Sequence, residues 1–196
     1  MNSSMTPLLF GLAFLALTAA RSLWMRMAEG VNPYVIDHAD PLRRFVAHIF
    51  LAIVIGLLAY FGAFAVWPSI ESELGVVAWL AGDAARVSGF ALMAVGMAWT
   101  TYAQISMGRS WRIGIPDSAP PLRTDGPFAL SRNPIYLGML AFVAGMTLWS
   151  PSAVTFSLLA IAYVAIEVQI RGEEAFLERM HGDAYRAYRA RVRRWI

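Results

Sequence analysis

Two short stretches hold most of the residues in this chain that could do chemistry. The first, Gly126-Pro127-Phe128-Ala129-Leu130-Ser131-Arg132-Asn133-Pro134-Ile135-Tyr136-Leu137-Gly138, sets an aromatic ring, a hydroxyl and a guanidinium between two prolines, with a tyrosine close behind. The second is the acidic pair Glu173-Glu174, preceded by Glu167 and Arg171. Proline is tolerated in the first turn of a helix and pushes the residue before it out of the helical region. Gly126-Pro127 therefore reads as a turn and Asn133-Pro134 as the start of a helix. The intervening loop is pinned at both ends and carries more polar chemistry than a plain membrane loop needs.

The elements that must position these residues are apolar helices. Of 196 residues, 58% are hydrophobic and only 15% charged, and mean hydropathy is +0.54. Soluble chains run near 45–50% apolar and about 25% charged, so this composition is that of an integral membrane protein. One all-α membrane domain, residues 1–196, is expected, with N-terminal spans in 1–103 and a cofactor-binding half in 104–196. Five apolar runs approach the roughly 20 residues that cross a bilayer, at about 7–24, 45–67, 84–103, 134–149 and 153–170. The fourth is short for a crossing. Asp83 is a plausible N-cap for the third, and residues 76–81 read as a re-entrant or interfacial piece. Beyond Arg171, apolar residues at helical spacing, broken at His181-Gly182 and restarted at Asp183, predict a C-terminal helical segment at the cytoplasmic interface.

The charge pattern sets orientation. Every basic side chain apart from the histidines is arginine, and the arginines cluster in the linker after the first span, in residues 104–132 and in the C-terminal tail. Five spans put all three clusters on one side, which the positive-inside rule makes cytoplasmic, with the N-terminus outside. The expected location is a bacterial inner membrane. Such clustering speaks of topology, and no nucleic-acid partner is expected. With no cysteine, and His38, His48 and His181 far apart in sequence, no metal site is expected either. The first apolar run lacks a preceding basic region and reads as a retained helix rather than a cleaved signal. The turn at Ser150-Pro151-Ser152 makes the fourth and fifth spans a hairpin. It returns Arg171, Glu173 and Glu174 to the neighbourhood of Arg132 and Asn133, where they form a mixed-charge pocket at the membrane surface.

At these residues a resemblance emerges. The pattern Thr124-x-Gly126-x-Phe128-x3-Arg132-Asn133-Pro134-x-Tyr136-x-Gly138, followed about 35 residues later by Glu173-Glu174-x2-Leu177-x4-Gly182-x2-Tyr185-x2-Tyr188, resembles the isoprenylcysteine carboxyl methyltransferase and phospholipid methyltransferase superfamily of membrane enzymes. The resemblance covers roughly residues 108–196. It implies an S-adenosyl-L-methionine-dependent methyltransferase without a Rossmann domain, and no Gly-x-Gly-x-x-Gly loop follows a strand pattern here. Carried over by position, the cofactor-binding residues are Pro120, Pro121, Leu122, Arg123, Phe128, Asn133, Pro134, Ile135, Tyr136 and Glu174. Arg171 is the nearest counterpart of an arginine that relatives place on the substrate side. Arg171 and Asn133 are thus the expected catalytic positions.

A sulfonium cofactor brings an ammonium, a carboxylate, a ribose and an adenine, so its site needs an acid, donors for the carboxylate and an aromatic slot. Glu174 suits the ammonium or ribose, Arg123 or backbone amides near Pro134 the carboxylate, and Phe128 or Tyr136 the ring. Methyl transfer is an in-line displacement that asks mainly for alignment and a dry pocket. Asn133 stands where the family carries histidine. It keeps hydrogen bonding and loses a titratable ring, which suits an acceptor that arrives ionised, such as a carboxylate or thiolate. Amine acceptors also occur in the superfamily, so the acceptor, small or lipophilic and reaching the site from water or from membrane lipid, stays open. Two other readings remain at this point, an NADPH-dependent enzyme like the sterol reductases and a non-catalytic membrane scaffold. In the plainer reading of single motifs, Arg132-Asn133-Pro134 is a basic flank with a helix start, Glu173-Glu174 a solvated turn, and Tyr185 and Tyr188 packing or interface anchors. Oligomeric state is not readable.

Overall fold

The computed structural model describes residues 3–28, 30, 32–33, 40–111 and 121–196, with backbone only at Ser3 and Arg109. Pro120 and the rest of 112–120 lie outside the described residues. Helices account for most of what is described, and no strand occurs among the described residues. They are α1 (Thr6–Ala28), α2 (Pro41–Val66), the single turn α3 (Ile70–Glu73), α4 (Asp83–Met107), α5 (Pro134–Trp149), α6 (Ala153–His181) and α7 (Asp183–Arg191).

Local chemistry explains several boundaries that differ from expectation. The second helix begins at Pro41, four residues early, because Asp40 caps it by accepting hydrogen bonds from the Leu42 and Arg43 amides at 2.9 and 3.3 Å, with Pro41 in the first turn. For α4 the cap is Gly82, with Asp83 inside the first turn, where a carboxylate favours the helix dipole. Residues 76–81 are not helical. Val76 bridges Ser152, and the Val77 amide donates to the Pro151 carbonyl at 2.7 Å, so the segment is strapped onto the α5–α6 turn. That turn is also fixed by a Ser152–Thr155 capping box. The largest difference is in α6, which runs on through the charged residues beyond Ile170 as one 29-residue helix.

Three helices, α1, α2 and α6, are long and apolar enough to cross a membrane, with mean hydropathies of 1.7, 2.6 and 1.9. The other two long helices act as a pair. Helix α4 has 25 residues with several polar side chains, while α5 is apolar with 16 residues, about 24 Å of helix. These two make the most extensive contact in the molecule. They can do so because Gly89 and Gly96 of α4 face Gly145 and Gly138 of α5. A Cβ at Gly89 would stand 2.6 Å from the Gly145 carbonyl oxygen, and one at Gly96 2.6 Å from that of Gly138. Small residues at a membrane helix crossing let backbones meet in this way. Gly89, Gly96 and Gly145 fit the packing role suggested by their type, with Gly138 as the fourth member.

Helix α2 packs on α6, α5 on α6, and α1 against both α2 and α4. The space between them is filled by Ile53, Leu57, Phe61, Met93, Phe142, Met146 and Ala162. Phe14 of α1 stacks on Phe142 of α5 with ring centroids 4.6 Å apart. This packing brings the end of α4, the start of α5 and the charged end of α6 to one face of the bundle.

Candidate active site

The loop before α5 is shaped by its own residues. Gly126 has φ +57, a left-handed conformation that suits glycine, and Gly126–Ala129 forms a tight helical turn with Pro127 at its start. The turn buries Phe128, and the Tyr188 hydroxyl on α7 donates to the Phe128 carbonyl at 2.6 Å. Next, the Ser131 hydroxyl accepts from the Asn133 backbone amide at 3.1 Å, and Asn133 leads into Pro134 with non-helical angles, φ −130 and ψ 53. Thr100 of α4 donates to the Ile135 carbonyl at 3.4 Å, tying the first turn of α5 to its neighbour.

Behind this loop the C-terminal residues form a clasp. The Arg132 amide donates to the Arg193 carbonyl at 3.0 Å, and both the Ser131 hydroxyl and the Asn133 side-chain amide donate to the Arg194 carbonyl, at 3.1 and 3.3 Å. The Arg132 guanidinium reaches the Val192 carbonyl at 2.7 Å and Glu174 Oε1 at 2.8 Å. From the other side Arg194 reaches Glu174 Oε2 at 2.7 Å and Glu167 Oε2 at 3.2 Å. Both oxygens of Glu174 are therefore engaged by arginine, in a pocket where the Glu174 side chain is 12% exposed. The bond to Glu174 holds the Arg194 guanidinium further above its already high ordinary value, so its charge is permanent.

Glu173 is held differently. Its Oε1 accepts from the Tyr136 hydroxyl at 2.6 Å and from Gln169 Nε2 at 2.9 Å, both neutral donors, and no hydrogen bond among the described residues reaches Oε2.

Between these groups lies a partly open cleft with a volume of about 90 Å³. Met107 of α4 and the segment Pro121, Leu122 and Arg123 line one side, and Phe128, Arg132 and Asn133 with Pro134, Ile135 and Tyr136 another. The rest comes from Glu173, Glu174 and Leu177 of α6 and from Tyr185 and Tyr188 of α7. Burial pushes both α7 phenols above their ordinary value, so they stay protonated. The Tyr185 hydroxyl is fully buried and has no hydrogen-bond partner among the described residues, and the same holds for Arg123 Nε. Arg123 also approaches Asp125 at 4.0 Å. Among the described residues no group of histidines and acids could hold a metal ion.

Nine of the ten cofactor-binding residues expected from the sequence line this one cleft, the tenth being Pro120. Asn133 lines it too, with its side-chain amide turned to the clasp. Arg171 does not. Its side chain is 72% exposed and pairs with Glu167, one turn back on the same helix, at 3.6 Å. Glu167 serves as an anchor for Arg171 and Arg194 and is not part of the cleft wall. Missing from the expected set are Arg132, Glu173, Leu177, Tyr185, Tyr188 and Arg194. Leu177 had a signal, since it follows Glu173 and Glu174 by one turn and shares their face. Arg194 had none, because it lies beyond the last helix and meets a carboxylate 20 residues away.

An uncharacterised protein of Haemophilus influenzae is 36% identical over 63 residues, which is all of that protein and 32% of this chain. The phospholipid methyltransferase family matches residues 84–184. That range begins further upstream than the likeness in the sequence motifs, taking in all of α4 but its first residue, and ends before Tyr185, Tyr188 and Arg194. Matching more than half of its length, the chain belongs to the phospholipid methyltransferase family, membrane methyltransferases of the isoprenylcysteine carboxyl methyltransferase-like superfamily.

Proposed function

We propose that this cleft binds S-adenosyl-L-methionine and that the protein methylates a lipophilic acceptor at the cytoplasmic face of the membrane. The observation that carries the reading is that nine of the residues carried over from the family resemblance, in the α4–α5 loop, α5 and α6, line a single cleft. The donor set fits the cofactor. Phe128, Tyr136 and the α7 tyrosines give aromatic faces toward which a cationic sulfur is drawn. Arg123, with an unpartnered buried Nε, suits a carboxylate, and the acidic pair suits an ammonium. The cleft's volume of about 90 Å³ is smaller than the roughly 300–1,000 Å³ of a whole ligand site. It therefore takes one end of the cofactor, and its mixed charges match the amino-acid end.

When bound, the cofactor supplies a methyl group on a positively charged sulfur, open to attack by a lone pair opposite the leaving sulfur. The protein's part is alignment and exclusion of water. Pro134, Ile135 and Leu177 close the wall with apolar surface, and Tyr188 fixes the Phe128 turn. Asn133 cannot serve as a general base, since its amide does not titrate and is committed to the Arg194 carbonyl, and Glu174 is held by two arginines. An acceptor that arrives with a free lone pair, a carboxylate, a thiolate or an unprotonated amine, needs none.

The test is calorimetry on the detergent-solubilised full chain with S-adenosyl-L-methionine and, separately, NADPH. Heat of binding from the first and none from the second is expected. Binding of NADPH alone, or of neither, overturns the proposal.

A further inference from the structure

We infer that the two adjacent glutamates divide the work, with Glu173, rather than Glu174, presenting the carboxylate oxygen that meets the ammonium of the bound cofactor. This rests on the reading of the cleft as an S-adenosyl-L-methionine site and reverses the assignment that the family likeness implies, which falls on the second glutamate.

Three observations carry it. First, Glu174 has no oxygen to spare, since Arg132 takes Oε1 at 2.8 Å and Arg194 takes Oε2 at 2.7 Å. A cationic ligand would have to approach a nearly buried carboxylate beside two guanidinium groups already paired with it, where like-charge repulsion opposes binding. Second, the charge on Glu174 is offset by two cations and that on Glu173 by none. The latter accepts only from neutral donors, Tyr136 and Gln169. A carboxylate that is only partly exposed on the cleft wall and has no counter-charge among the described residues is poised for a cation. Third, both of those donors bind the same oxygen, Oε1. They come from α5 and from one turn earlier on α6, so the carboxylate is fixed in orientation with Oε2 left over, and the residue lines the cleft. A group locked by its neighbours with one valence unused is how a preorganised ligand contact is built. Glu174 then positions Arg132 and the C-terminal clasp and makes no cofactor contact of its own.

The experiment compares S-adenosylhomocysteine with its deaminated analogue, which lacks only the ammonium, by calorimetry on the solubilised wild type, Glu173→Gln and Glu174→Gln, alongside thermal melting. The wild type is expected to prefer S-adenosylhomocysteine. Glu173→Gln keeps the Tyr136 and Gln169 side chains supplied with an acceptor, so its melting midpoint stays near that of the wild type. It is expected to bind S-adenosylhomocysteine about 10- to 100-fold more weakly, the weight of a charge-assisted hydrogen bond, and to lose the preference between the two ligands. Glu174→Gln is expected to melt earlier and to retain the preference when assayed below its melting range. Should Glu173→Gln not fold, Glu173→Asp, which keeps the charge on a shorter arm, is expected to retain a reduced preference. The inference is overturned if the preference survives in Glu173→Gln, if Glu173→Asp folds with the preference undiminished, or if Glu174→Gln erases it. Absence of any binding by the wild type overturns the cofactor reading itself and the inference with it, a result distinct from loss in one variant alone.

Discussion

Two regions hold the cleft in place by opposite means. The α4–α5 crossing contains no charge at its points of closest approach. It works by omission, four glycines allowing two backbones to meet, so its strength is van der Waals contact over a long seam. The C-terminal clasp works by surplus, with Arg132 and Arg194 closing on Glu174 and main-chain carbonyls receiving side-chain donors from Ser131, Arg132 and Asn133. The crossing lies wholly within the range matched by the family, while Arg194 lies beyond it. The first sets where the cleft is, and the second sets the orientation of the groups around it.

Substitutions that separate these two contributions fall in a clear order. The largest effect is expected from Gly96→Leu, whose Cβ alone would sit 2.6 Å from both the Gly138 carbonyl oxygen and the Phe142 amide nitrogen. Backbone cannot yield as a side chain can, so this variant should give no monodisperse folded protein in detergent. By contrast Gly62→Ala, with nothing within 4 Å of the new Cβ, should melt within a few degrees of the wild type. Next comes Arg132→Ala, which strips one partner from a nearly buried carboxylate and should cost about 3–5 kcal/mol, seen as a lower melting midpoint. Arg194→Ala removes a partner that is 32% exposed and should cost less, about 1–3 kcal/mol. A double-mutant cycle with Glu174→Gln should show the two effects to be coupled. Simple additivity there would mean that the clasp is not a unit.

The smallest effects sharpen the boundary of the site. Asn133→Ala loses one neutral hydrogen bond to the clasp, worth about 1 kcal/mol. Arg171→Ala should change stability by less than about 0.5 kcal/mol, since its pair with Glu167 is on an exposed helix face. It should also leave cofactor affinity unchanged by calorimetry. Weakened cofactor binding in this variant would bring Arg171 into the cleft after all.

What could be read from the sequence follows the same division. Prolines, glycines and apolar runs act locally, so the start of α5 at Pro134, the break at Gly182 and three glycines of the crossing, Gly89, Gly96 and Gly145, were legible, whereas Ala141 was expected where Gly138 is found. The run-on of α6 was missed because the charged stretch after Ile170 contains nothing that stops a helix until Gly182. Arg171, Glu173, Glu174 and Glu178 are compatible with one throughout. Arg171 was drawn toward the site by its closeness in sequence to the acidic pair. Helical spacing puts Arg171 about 200° from Glu173 but only about 60° from Glu174, so what takes it out of the cleft is its long side chain turning back to Glu167 and outward to 72% exposure. The clasp was illegible for a different reason. Its bonds join residues from 20 to 63 apart, and no periodicity links a residue beyond the last helix to carboxylates in the helix before it.

The unbroken course of α6 also makes it a depth gauge. Ile170 is the last residue of its apolar run, and Glu173, Glu174 and Leu177 follow on the same rigid rod, about 5–10 Å further along at 1.5 Å per residue. That interval is comparable to the headgroup layer of a bilayer. A lipid acceptor would not have to leave the membrane to be modified. Its tail could stay among the hydrocarbon chains while its reactive group stood level with the cleft, and inserting or deleting a turn of helix between Ile170 and Glu173 would move the chemistry out of reach of the headgroup without touching a single residue of the site.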